Sequence, residues 1–168
     1  MKEYDISIDF KEVDEYLDRV EKQLEVKGAN CVIAGYFQGK TYPIPESKEG
    51  NKNAGQVTPW EIARNAWVHE KGTEHIPARP FMTKAGENYG KWQVVLEKSL
   101  ERGVKMPKAL LRVGEAMQRS IVDAIDFGDY VANKPATVKR KGSSKPLFDK
   151  GTLRNSVKYE VTKDDTGA

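Results

Sequence analysis

Between Pro107 and Gly128, Leu110, Leu111, Gly114, Met117, Ile121, Ala124 and Ile125 recur at helical spacing. This run constrains the fold more than any other. A helix of roughly six turns with one apolar stripe has to bury that stripe against other elements. Pro107 fits the first helical position and Gly128 the stop.

Two more helices are predicted ahead of it. Thr58-Pro59-Trp60-Glu61 is a helix start, with Thr58 as cap, Pro59 in the first turn and Glu61 closing the capping box. Ile62, Ala63, Ala66 and Trp67 form its expected buried face, and Gly72 ends it. Ile76-Pro77-Ala78-Arg79-Pro80 is excluded from helix, because a residue before proline is pushed toward extended backbone. Pro80 then opens a helix expected to run to Gly103, with Met82, Ala85, Tyr89, Trp92, Val95, Leu96 and Leu100 on one side.

Near the start, Ile6 and Ile8 alternate with Ser7 and Asp9, a short strand pattern. Asp9 and Glu12 are placed as a capping box. Val13, Tyr16, Leu17, Val20 and Leu24 follow as an amphipathic helix over 10–27, closed by Gly28. The apolar run over 31–37 reads as a strand, and Val157, Tyr159 and Val161 alternate as a closing one. Residues 38–56 have no period and read as a long loop or arm. The expectation is a single α+β domain over 1–162, with a small mixed or antiparallel sheet packed on two to four helices and long extended loops. A polar, frayed tail follows over 163–168.

Composition narrows the function. Of 168 residues 38% are apolar and 32% charged, so the core is thin and neighbouring subunits are expected to complete some apolar surface. Net charge is +3, too small to imply nucleic acid by itself. Its distribution says more: residues 130–148 hold five cations, Lys134, Lys139, Arg140, Lys141 and Lys145, and no acid, while the N-terminal third is acid-rich. The single cysteine, Cys31, excludes an intrachain disulfide and a cysteine zinc site, and reads as a small buried hydrophobe. The start lacks a signal-peptide pattern and no apolar run is long enough to span a membrane, so a soluble protein made in a reducing cytosol is expected.

Catalytic patterns are missing. There is no phosphate-cradling glycine loop, nucleophile elbow or dinucleotide fingerprint. His69 and His75 are six apart with Gly72 between them, the wrong spacing for a helical zinc motif. Asp149-Lys150-Gly151 offers one carboxylate where an aspartic protease needs two. Asp14-Glu15 and Asp164-Asp165 read as solvated. No catalytic residue, metal or cofactor is assigned.

Two blocks remain. The first is Val68-His69-Glu70-Lys71-Gly72-Thr73-Glu74-His75-Ile76-Pro77-Ala78-Arg79-Pro80-Phe81-Met82. The second runs over 133–157: a basic Gly- and Ser-bearing loop, the apolar pair Leu147-Phe148, then Asp149-Lys150-Gly151-Thr152-Leu153-Arg154-Asn155-Ser156. Together, and in this order, they resemble the signatures of the tail-completion and virion-morphogenesis proteins of long-tailed bacteriophages and Mu-like prophages, the group that includes minor tail protein Z. Lys71 stands where that group has an aromatic, and Lys150 where it has threonine.

The resemblance implies a structural virion protein that completes the tail or joins tail to head, not an enzyme. It implies a homo-oligomeric ring, sixfold favoured and twelvefold possible, touching head connector or neck and tail tube proteins, with DNA passing through the channel as a possible contact and no membrane. Its location would be the virion neck or tail, and the host cytoplasm during assembly. The alternative is a sequence-independent DNA-binding protein of a phage or mobile element, through the same basic loop, which holds no aromatic between Val131 and Leu147 for base stacking. A solvated loop, an acidic patch on a neighbouring ring and DNA all remain open for that loop.

Candidate subunit or ring contacts are Arg79, Phe81, Lys139, Arg140, Lys141, Lys145, Asp149 and Arg154. Arg79, between two prolines, is expected to point outward or into a carboxylate; Phe81 and Met82 are also expected to anchor the next helix. Asp149 is expected to cap a turn at Thr152, and Arg154 to tie that turn to the loop or to an adjacent subunit.

Overall fold

The computed structural model describes residues 28, 30–37 and 58–163. The expected strand near Ile6, the helix over 10–27, the arm over 38–56 and the tail from 164 lie outside the described residues.

The fold is α+β. Strand β1 (Cys31–Gly35) is followed by helices α1 (Pro59–Lys71), α2 (Phe81–Gly86), α3 (Tyr89–Glu101), α4 (Met106–Phe127), α5 (Pro135–Lys141) and α6 (Thr152–Asn155), and the described part closes with strand β2 (Lys158–Thr162). The strands pair antiparallel, Cys31 opposite Thr162 and Gly35 opposite Lys158. A two-stranded ribbon is marginal alone and needs a helix against it.

That helix is α4. It packs on α2, α3 and both strands, and buries Ala109, Leu110, Leu111, Val113, Gly114, Ile121, Ala124 and Ile125. Around its C-terminal half Ala66, Phe81, Ala85, Leu147 and Val157 complete the core. Gly114 permits the closest approach: a Cβ there would lie 2.2 Å from Cδ2 of Tyr159 on β2. The helix is therefore specified twice, by its stripe and by a gap in that stripe.

Local signals for α1 are present as expected. Thr58 Oγ1 accepts from the Glu61 N–H at 3.3 Å, and Glu61 Oε2 accepts from the Thr58 N–H at 2.7 Å. The first of these satisfies a helix-end donor that would otherwise be orphaned, and the second returns a bond to the cap residue. Ile62 and Ala66 are buried. Trp67 is not: it is 61% exposed, beside Trp60 on the same outer face, where the Arg64 guanidinium lies 5.5 Å from the Trp60 ring centre. One residue is a step of 100° round a helix, so Trp67 cannot share the direction of Ala66 when Ile62 sets the inward face.

Three other expectations are corrected. The helix from Pro80 breaks at Glu87–Asn88 into α2 and α3, and Tyr89 is 61% exposed. Gly86, Asn88 and Gly90 crowd this point, and all three weaken helix propagation. The basic loop contains a helix, α5, which makes six helices in all among the described residues. Pro135 presets its first turn, and Gly142 at φ 71° closes it. Its last-turn cations Lys139, Arg140 and Lys141 sit where the helix dipole favours positive charge. Cys31 lies in β1 as expected but is only half-buried.

Candidate functional site

The two sequence blocks meet. The C-terminal end of α1, the turn after it and residues 131–153 wall one cleft of about 870 Å³.

The first wall is built by a tight turn. Gly72 has φ 74°, and a Cβ there would fall 2.7 Å from the Ala78 nitrogen. Only glycine takes that conformation in that space without strain. The Thr73 N–H donates to Ile76 O at 2.8 Å, while Thr73 Oγ1 accepts from the Ile76 N–H at 3.1 Å. The Arg79 N–H then donates to His69 O at 2.7 Å, which fixes Arg79 beside the end of α1. Glu70 anchors the other side of the turn. Its carboxylate accepts from the backbone N–H groups of Met82 at 2.8 Å and Thr83 at 3.0 Å, and from Thr83 Oγ1 at 2.6 Å, so it caps α2 from outside.

Arg79 ties this wall to the second. Its Nε donates to Val131 O and its Nη2 to Asn133 Oδ1, each at 3.1 Å. Asn133 Nδ2 in turn donates to the carbonyls of Ser144 and Lys145. Lys141 Nζ donates to Lys145 O at 3.2 Å. Arg79 is only 4% exposed, yet no carboxylate among the described residues is bonded to it. Two neutral acceptors serve two of a guanidinium's five N–H donors and leave its charge uncompensated.

The charges around it reinforce one another. Burial lowers the pKa of Arg79. Burial also lowers Lys141, with Arg79 and Arg140 adding to the effect and Asp149 opposing it. His69 is pushed below its ordinary value by burial, then by Arg79 and Lys141. Its Nδ1 is buried with no hydrogen-bond partner. Ile62, Ile76, Pro77, Val131, Leu147 and Leu153 supply apolar walls. A concave site with apolar walls, converging cations and an unpartnered ring nitrogen is suited to an anionic group on an apolar carrier.

Comparison with protein-family models, with curated proteins and with solved structures finds no match for this chain. The site therefore stands on its own residues.

Those residues divide. Arg79, Arg140, Lys141 and Asp149 line the cleft. Lys139 is exposed on α5 and does not line it. Phe81, expected at a subunit contact, is fully buried in the core at 0% exposure and has no surface to offer a neighbour. Arg79, expected outward or on a carboxylate, is buried on backbone and amide oxygens. Lys145 and Arg154 leave the cleft for Asp126 on α4, at 3.1 Å and 2.6 Å. Arg154 is thus an intramolecular strut. Asp149 does not cap the turn at Thr152: Gly151, at φ 77°, takes the N-cap position, and no side chain bonds there. The αL cap residue turns the chain away before the Asp149 carboxylate reaches the helix.

Sequence spacing alone gives His69 no role, because it does not meet a helical zinc motif. Spacing also passes over Asn133 and Asp126, whose roles need long-range partners. Asp126 did leave a signal, as an acid directly after buried Ile125 in an apolar stripe. Among the described residues, no helix is long and apolar enough to cross a membrane.

Proposed function

We propose that this chain is a structural protein of a tailed-phage virion, which completes the tail or joins it to the head as a ring. The observation that carries the reading is the Arg79 bridge to Val131 and Asn133. It joins the two blocks whose order resembles the tail-completion group, so the motif residues form one unit and not two unrelated loops. Nothing in that unit has the arrangement of a nucleophile with its base.

A closed ring uses heterologous contacts, so each subunit needs two unlike, complementary patches. The basic cleft is one concave candidate. The exposed aromatic face of α1, with Trp60 at 56% and Trp67 at 61%, is a candidate of the other kind. Tryptophan and arginine are the residues most enriched where interfaces concentrate their binding energy. Six copies are favoured, twelve are the alternative, and the neighbours are head connector or neck and tail tube proteins.

Native mass spectrometry of the purified chain, alone and with its neck and tube proteins, tests this. A closed sixfold or twelvefold particle supports it. A chain that stays monomeric with both partners present overturns it.

A second reading has one specific observation behind it. Lys134, Lys139 and Arg140 are exposed on or beside α5, a surface suited to duplex phosphates. Sequence-independent DNA binding through them would give a steep fall of affinity with salt. A flat salt response, or no binding at 50 mM salt, removes that reading.

A further inference from the structure

The residues that line the basic cleft carry a surplus of positive charge. Among the described residues Arg79 is buried without a carboxylate, Lys134 and Arg140 form no ion pair, and His69 Nδ1 has no partner. The acids that line it, Glu74 and Asp149, are exposed at its rim. Its depth excludes a duplex: a guanidinium 4% exposed cannot meet phosphates held at the surface of a rod as wide as DNA. A narrow chain with carboxylates and apolar side chains in alternation fits both the charge and the apolar walls.

The sequence contains such a segment. Residues 5–10 read Asp-Ile-Ser-Ile-Asp-Phe, and residues 1–27 as a whole carry nine acids against five bases, a balance opposite to that of the cleft. We propose that the cleft receives residues 5–10 of a second copy of this chain, with the Asp5 and Asp9 carboxylates set against Lys134, Arg140 and Lys141 and the isoleucines against the apolar walls. Donor on one copy and receptor on the next make a head-to-tail contact, the kind that closes into a ring. This deepens the virion-ring reading and rests on it for the stoichiometry, not for the cleft's ligand.

Two full-length variants test it. Asp5→Lys with Asp9→Lys removes the donor. Lys134→Glu with Arg140→Glu removes rim charge from the receptor while sparing Arg79, whose hydrogen bonds hold the walls together. Each variant alone is expected to associate at least about tenfold more weakly than the parent chain. Mixed in equal amounts they are expected to form a heterodimer, because each retains the half the other lost. Either variant assembling like the parent, or a mixture that fails to complement, overturns the inference.

A peptide arm separates this from the ring itself. The acetylated, amidated peptide of residues 3–12 is titrated into the full-length donor variant, whose cleft is free of its own segment. Expected are saturable binding, a rise in the His69 titration midpoint as carboxylates approach, and at least about tenfold weaker binding when Lys134→Glu and Arg140→Glu are added. No binding, or displacement of the peptide by duplex DNA at equal charge, sinks the cleft assignment even if rings form. A bound peptide on a chain that never forms particles leaves the cleft assignment standing and overturns the ring.

Discussion

Arg154 Nε on α6 donates to Asp126 Oδ2 on α4 at 2.6 Å, and Lys145 Nζ reaches the other oxygen of the same carboxylate at 3.1 Å. One acid on the central helix thus gathers both ends of the 145–154 segment, which walls the cleft. Burial raises the pKa of Asp126, but the hydrogen bonds and charges of Arg154 and Lys145 outweigh it, and the net shift is downward.

A carboxylate with a depressed folded pKa adds stability that is fully present above its ordinary value of 3.8 and is lost as pH falls through the lower folded value. Asp126→Ala is therefore expected to lower stability by about 1–2 kcal/mol at neutral pH, a figure reduced because both cations are about 40% exposed. The deficit should shrink below pH 4. Denaturant melts of both proteins at pH 7 and pH 3 check this. Arg154→Ala should likewise weaken the monomer; an unchanged melt with lost assembly would return Arg154 to the subunit interface.

Gly114→Ala sets helix propensity against space. Alanine is the better helix former by about 1 kcal/mol, but its Cβ would sit 2.2 Å from the Tyr159 ring. Overpacking should win, for a net loss of roughly 1–3 kcal/mol. The companion Gly114→Ala with Tyr159→Ala relieves the clash, so a thermodynamic cycle on the pair should show strong positive coupling. An additive pair would mean that α4 and β2 do not meet there.

Glu70 is expected to matter more than a surface acid usually does. Three donors around the start of α2 converge on it. Glu70→Ala should cost about 1.5–3 kcal/mol, the range for hydrogen bonds to a charged group. Amide exchange at Met82 and Thr83 should accelerate in the variant. Protection equal to that of the parent would show that another group caps this helix.

Trp67→Ala should leave the monomer's melt within about 0.5 kcal/mol, since the side chain is on the outer face of α1. If that face joins subunits, the same substitution, and Trp60→Ala with it, should reduce particle assembly as measured by native mass. A loss of several kcal/mol in the monomer would place the ring in the core after all.

Much of this fold is written in short-range spacing. The α4 stripe, the Thr58–Glu61 box, the stop at Gly72 and the alternation into β2 each depend on residues within a turn or two, and each is present. Spacing gives directions around an axis, but not which direction faces the core. Ile62 and Ala66 took the inward face of α1, so Trp67 was left outside. Pro135 and Gly142 were punctuation for a helix as much as for a loop, and the dihedrals they permit allowed α5. What only the tertiary structure decided is what meets across long separations. It set Cys31 opposite Thr162, packed the Tyr159 ring into the gap at Gly114, and carried Arg79 to Asn133. Such partners are selected by the joint burial of faces distant in sequence, and burial is a property of the assembled core that no local pattern encodes.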